Sequence, residues 1–424
     1  MTLRHVSVVA LLAAVLAGVV SLRAERLSSD GQVRASSSAE GFTPSGARDS
    51  NRFSASPGHA WQAATGVGPC WWQVEFRQPR VVGAILQITG DHPFVLRSAP
   101  LEYVWQWSLD GQSWHDFSST RTARERRLFR LFRLDHPQPL THLRLQIASS
   151  LGPPVLREVE LYSDRAEPVP FPDWVTVVNT TDQPALPGAG EEFIPLARSC
   201  PGWTEIEAQQ VWLGDFDESL IEAEPRPLGA LLSGNFKDWC QIRRESWRGT
   251  QEILRRGRLP MWASCGGAQG LAILADAGVD RAWDCPHCRD PLAPKTPIYT
   301  HIGHTAARPC GDYSGCVFER GPHWVEQVGQ DAVFMGLPRA FTVMESHCGQ
   351  IEWPPTGWER IATAGAGTQT KNQCLRLVGK CVYAAQFHIE MSGTPDVSRR
   401  IMGNFLSLAK QWRDQQIDGG TSGE

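Results

Sequence analysis

Beyond residues 6–20 the chain has no long apolar run, so nothing after its leader approaches the ~20 apolar positions that a membrane helix needs. It has no excess of positive charge either. Its 41 lysines and arginines against 45 acidic residues leave a formal net charge of -4 without a long basic tract, which argues against nucleic acid as the main partner. The one basic cluster, Arg121 to Arg133, is interleaved with Leu128, Leu131 and Phe132 and reads as a strand with a basic outer face. The leader lacks a clean A-x-A cleavage site, and no cysteine follows closely enough for lipid attachment. What it does have is Arg4 and His5 ahead of an apolar stretch broken by Ser7. Residues 1–24 therefore read as an export signal or an uncleaved N-terminal membrane anchor, and the expected location is periplasmic, secreted or cell-surface. At 424 residues, the chain exceeds what one hydrophobic core serves, so two domains are expected.

Two distant fragments carry chemistry: Trp262-Ala263-Ser264-Cys265-Gly266-Gly267-Ala268-Gln269-Gly270 and Gln386-Phe387-His388-Ile389-Glu390. An apolar run over 259–263 followed by a helical pattern over 268–277, closed by Gly278, predicts a strand, a tight turn and a helix. Such a turn exposes the Cys265 side chain at the strand end, and the small residues Ala263, Gly266 and Gly267 let the backbone double back. The Gly266 N–H can then face a developing oxyanion, and the helix N-terminus favours the thiolate. A thiolate nucleophile needs a proton shuttle. His388, at the end of an apolar run over 382–387, supplies one, with Glu390 to orient its ring.

These residues resemble the class I glutamine amidotransferase domain, whose nucleophile turn reads G-x-C-x-G-x-Q and whose base and carboxylate lie in Q-F-H-P-E. Residues 228–235 resemble the strand and loop that complete the family's oxyanion hole. Glu345-Ser346-His347 and Pro354-Pro355-Thr356-Gly357-Trp358 resemble its S-H segment and P-x-G-F turn. The chain departs at Ala263, at Asn235-Phe236 in place of G-P, and at Ile389 in place of the proline. The resemblance implies a flavodoxin-like, doubly wound α/β domain with a mostly parallel sheet over residues 175–415, followed by a tail over 416–424. Cys265, His388 and Glu390 would be catalytic, and Gly234, Asn235 and Gly266 would form the oxyanion hole. Gln269, Ser346 and His347 would contact substrate, or else serve the packing.

Residues 33–164 read as many short strands rich in Trp, Ser and Gly. The runs around Trp71-Trp72, Tyr103 to Gly111, Leu143 to Leu145 and Leu156 to Tyr162 resemble the discoidin, or coagulation factor 5/8 type C, domain. That resemblance implies an all-β jelly-roll sandwich of galactose-binding-like type, with loops that bind a glycan and sometimes a structural calcium. Trp61 and His92 are the loop candidates for sugar contact, because a ring stacks on a sugar face. Trp71, Trp72 and Trp105 are expected in the core. Asp110-Gly111 marks a tight hairpin, and Pro168, Pro170 and Pro172 mark a stiff linker over 165–174.

Setting Cys265 aside leaves ten of eleven cysteines, a number that suits an exported protein with disulfides. Cys374 with Cys381, and Cys310 with Cys316, are candidate local pairs. Cys285, Cys288, Cys310 and Cys316 could instead hold zinc, with His301 and His304 as further ligands or plain surface. The C-P-H-C of residues 285–288 is similar to a thiol redox motif, but the prolines after it break the helix that motif requires. No other cofactor is expected. The reading is an exported amidohydrolase of a glutamine-like or γ-glutamyl amide, held to a glycan or the cell envelope by the sandwich. The alternatives are a non-catalytic glycan-binding protein and a glutaminase subunit that delivers ammonia to a separate synthase.

Overall fold

The computed structural model describes residues 26–27, 31–52, 54–64, 69–90, 98–123, 127–150, 152–163, 171–181, 190–219, 224–235, 237–238, 241–282, 298–303 and 311–419. Residues 1–24, read as an export signal or anchor, together with His92, His304, Cys285, Cys288, Cys310, Phe236 and residues 164–170, lie outside them. The chain divides into two compact units, one ending at Phe171 and the other starting at Pro172. No helix among the described residues is long and apolar enough to cross a membrane.

In the first unit, strands Gln32–Ala35, Cys70–Val81, Pro139–Ser150, Pro100–Ser108 and His115–Asp116 form one sheet in that order. Strands Trp61–Gln62, Val155–Tyr162, Ala84–Thr89 and Phe129–Arg133 form the other. Alternation turns Trp72, Val74 and Phe76 inward against Leu143, Leu145 and Ile147 of the paired strand. Trp72 and Trp105 meet edge to face at 6.2 Å, and each buried indole N–H finds an acceptor, the Pro44 carbonyl and the Gln87 side chain respectively. The same alternation turns Trp71 outward, where it is half-buried, so it does not fill the core as expected. The Asp110 carboxylate closes the hairpin by accepting from the Gln112 and Ser113 amides, both at 2.8 Å, while Gly111 takes φ 71.

The second unit is built on a nine-stranded mixed sheet in the order Glu207–Trp212, Trp174–Asn179, Gly229–Leu232, Met261–Ser264, Val382–Ala385, Cys374–Leu377, Trp358–Ala364, Glu319–Gln327, Ala340–His347. The first five are parallel, and every later pairing is antiparallel. The central parallel strands are buried on both faces, which is why their sequences are apolar without alternation. Val177, Leu231, Trp262 and Tyr383 point to one face, into a core that includes Phe405 of helix Pro395–Gly419. Val178, Leu232, Ala263 and Ala384 point to the other, toward helices Arg248–Arg256 and Gly266–Ala282. Gly278 breaks the second of these at φ 66 and ψ 163. Gly270 lets that helix lie on Trp247, because a Cβ there would fall 2.2 Å from the indole.

Candidate active site

The sheet register brings the two chemical fragments together. Met261–Ser264 and Val382–Ala385 are parallel neighbours with Ser264 opposite Ala385, so both chains leave the sheet at the same edge. The Cys265 N–H then donates to the Ala385 carbonyl at 2.7 Å, and the Cys265 carbonyl accepts from Gln269 at 2.9 Å as the helix begins. To make that turn Cys265 adopts φ 47, one of two non-glycine residues with positive φ among the described residues. A conformation of that kind costs ~1–3 kcal/mol, and such outliers concentrate where a site needs them.

Three residues past the other strand end, the His388 N–H donates to the Met344 carbonyl at 2.8 Å, which fixes the imidazole against strand Ala340–His347. Its Nδ1 lies 2.6 Å from Glu390 Oε1. A carboxylate only accepts, so Nδ1 carries a proton and Nε2 is the nitrogen turned away from Glu390. Nε2 is buried with no hydrogen bond of good geometry. Burial opposes charging His388, but the Glu390 carboxylate and the Cys265 sulfur outweigh it and hold its pKa well above the ordinary 6.5. Gly234 packs into the angle between His388 and Cys265: a Cβ there would meet His388 Cε1 at 2.9 Å and Cys265 Cβ at 3.4 Å. A Cβ on Gly266 would fall 2.7 Å from the Asn235 backbone nitrogen. The backbones of Asn235 and of Gly266, the residue after Cys265, are thus closely packed.

The other site residues are less free. The Gln269 amide donates to the Gly349 carbonyl at 2.8 Å and reaches Gln386 at 3.2 Å, so its nitrogen is committed to holding loops. Ser346 presents its carbonyl, not its side chain, 3.9 Å from the Cys265 sulfur. His347 is buried, with Nε2 2.9 Å from Glu345 and 3.3 Å from Glu319 and Nδ1 3.0 Å from the Gly349 carbonyl, so its ring braces the site instead of contacting substrate. Burial disfavours the charged ring, yet Glu319 and Glu345 push its pKa up to about 10.

Several expectations need correction. Trp61 is no loop aromatic: it is 0% exposed in its short strand, with its indole N–H on the Ser37 carbonyl, and no sugar can stack on it. His301 is not surface, because it is buried 3.0 Å from Asp238 Oδ1, beside the Tyr299 hydroxyl that donates to the same oxygen at 2.8 Å. Cys374 lies opposite Ala385, not Cys381, and both are thiols without a disulfide. Burial pushes Cys70 and Cys200 up to about 11 and Cys348 and Cys381 up to about 12, so these are inert protonated thiols at neutral pH.

Cys316 is the only described member of the zinc quartet, and no cluster of His, Cys, Asp or Glu among the described residues has metal-holding geometry. In the sandwich the buried acids Glu158 and Glu160 are already claimed by guanidiniums, Arg26 at 2.7 Å and Arg52 at 2.7 Å. Neutralised carboxylates of this kind do not suit calcium, and no role is derived for it.

The second unit is similar to glutamine amidotransferase-like domains, and the first is an antiparallel two-sheet β-sandwich similar to galactose-binding-like modules. No protein-family model matches the chain. Over 94 residues it is 31% identical to the glutamine-hydrolysing GMP synthase of Thermosipho melanesiensis, covering 21% of this chain and 18% of that one. The chain spans about a fifth of the length of the curated relatives it matches. Among solved structures, a GMP synthase component from Thermoplasma acidophilum aligns with a TM-score of 0.42 at 18% identity, over 57% of this chain and 98% of that one. A chitosan-binding module of a Paenibacillus sp. chitosanase/glucanase aligns with a TM-score of 0.28 at 19% identity, over 33% of this chain and 99% of the module.

Proposed function

We propose that the chain is an exported, cysteine-dependent amidohydrolase acting on a glutamine-like or γ-glutamyl amide, with its sandwich binding a glycan of the cell envelope. The observation that carries the reading is the strained Cys265 turn set against the His388–Glu390 pair, with the Asn235 and Gly266 backbones packed closely next to it. The Cys265 sulfur adds to the amide carbonyl carbon, and the oxyanion is held by the Gly266 and Asn235 N–H groups. The His388 imidazolium gives its Nε2 proton to the leaving nitrogen as the C–N bond breaks, leaving a thioester. His388 then takes a proton from water, the resulting hydroxide displaces the sulfur, and the carboxylic acid product departs.

The likeness to a glutamine-hydrolysing synthase supports the glutamine side chain as the amide cleaved, with ammonia as the leaving group, and favours as second reading a subunit that passes that ammonia to a separate synthase. The test is release of ammonia or amine from glutamine and γ-glutamyl amides by the wild type and by Cys265→Ser. Turnover abolished in the variant supports the amidohydrolase. Turnover that appears only when a co-purifying synthase is added favours the second reading, and equal turnover in both proteins sinks the nucleophile assignment.

A further inference from the structure

The catalytic line does not stop at Glu390. Its Oε1 accepts from His388 Nδ1 at 2.6 Å, and its Oε2 accepts from the Ser264 hydroxyl at 2.9 Å. Ser264 is fully buried and is the residue immediately before the nucleophile, 126 positions from its partner in sequence. The Trp262 indole nitrogen lies 3.2 Å from the same hydroxyl oxygen. An indole N–H can only donate, so the Ser264 oxygen must accept there, and its single proton is turned toward Glu390. Trp262 is itself immobilised, 0% exposed and packed among Tyr383, Phe387 and Phe405 with ring centroids 6.1 to 6.2 Å away.

We propose that Ser264 is a positioning residue of the reactive site: its hydroxyl, aimed by the Trp262 N–H, holds the second oxygen of Glu390 so that the first stays on His388 Nδ1. This rests on the amidohydrolase reading above. The strand that ends in the nucleophile thereby also sets the orientation of the base, which reaches the site from a different strand. Without the hydroxyl, Glu390 is free to rotate about its last bond and stabilises the imidazolium less. The consequence is a charge-separated sulfur–imidazolium pair that forms only at higher pH.

Iodoacetamide tests this, because it reads thiolate reactivity without needing a substrate pocket. The full-length wild type, Ser264→Ala and Trp262→Phe are alkylated from about pH 5 to about pH 9, with the Cys265 adduct followed by peptide mapping. In Ser264→Ala the midpoint of the profile is expected to rise by about one pH unit, with labelling near pH 6.5 falling about tenfold. Trp262→Phe keeps a ring in the core and is expected to give a smaller shift of the same sign. A folded Ser264→Ala protein with an unchanged midpoint overturns the proposal, whatever its melting temperature. If Ser264→Ala does not fold, an unchanged midpoint in Trp262→Phe overturns it instead. A wild-type Cys265 that labels no faster than Cys200 or Cys348 defeats the amidohydrolase reading itself, an outcome separate from the behaviour of the variants.

Discussion

Both units bury charge, and they use it in opposite ways. In the sandwich, Glu160 accepts from both nitrogens of Arg52 at 2.7 Å and from the Tyr162 hydroxyl, while Glu158 accepts from Arg26 and from the Ser50 amide at 3.0 Å. Every carboxylate oxygen in that cluster accepts a hydrogen bond, and the cluster is a strut. In the second unit the line Trp262–Ser264–Glu390–His388 is equally well paired until its last atom. There His388 Nε2 ends without a well-formed hydrogen bond, facing a sulfur held at positive φ. A buried polar group left partly unsatisfied is expensive, and in this line of bonds the cost falls on the atom that faces the sulfur. The difference separates scaffold from site more sharply than burial or charge alone.

The comparison can be broken most severely at the oxyanion amides. Gly266→Ala drives a methyl into the Asn235 backbone, which cannot swing aside as a flexible side chain would, so turnover should fall about 10³-fold and thermal stability should drop with it. Glu390→Gln keeps the shape but offers an amide where a carboxylate stabilised the ring. It should lower kcat/KM by about 10²-fold or more and flatten the acid limb of the rate profile.

His347 lies on the strut side of the second unit, although it sits in the site's wall. Replacing it by Gln leaves two buried carboxylates uncompensated and should cost about 3–5 kcal/mol in denaturant unfolding. Because its pKa is raised from 6.5 to about 10, the stabilisation from its charge is full below pH 6.5 and is lost as pH climbs toward 10. Glu319, drawn down from 4.5 to about 2 by His347 and the Gln369 amide against the pull of burial, loses its share as pH falls from 4.5 toward 2. The Glu319–His347–Glu345 cluster should therefore be strongest between pH 4.5 and 6.5.

The smallest effect sharpens the sandwich side. Burial pushes Glu158 up to about 8 from 4.5 even with Arg26 beside it, so the folded unit holds a proton that the unfolded chain releases. Its stability should decline as pH rises from 4.5 to 8, and Glu158→Gln should remove that slope, changing the melting temperature by only a few degrees, as read by tryptophan fluorescence.

Much of this was readable from residue order. The apolar run before Cys265, the glycines after it and the helical period beyond fixed a strand-turn-helix, and the continuous apolar runs reported buried parallel strands. Periodicity carries no strand direction, so the four antiparallel strands that extend the sheet were invisible to it. Trp61 misled because a two-residue strand beside Gly58 and His59 looks like a loop, although the fold seals it completely. His301 misled for a related reason: its partner Asp238 lies 63 residues away, and nothing local announces the pair. Ser264 is the hardest case, since a serine inside an apolar strand has no signature until the register sets it against Glu390.

The most direct test of the whole account is peptide mapping of the intact protein after exposure to an electrophilic glutamine analogue, with Cys265→Ser as control. The account predicts one adduct, on Cys265, absent from the control, while Cys70, Cys200, Cys348, Cys374 and Cys381 stay unmodified. A Cys265 that stays unlabelled in the folded protein, or labels only together with those buried thiols, would contradict it.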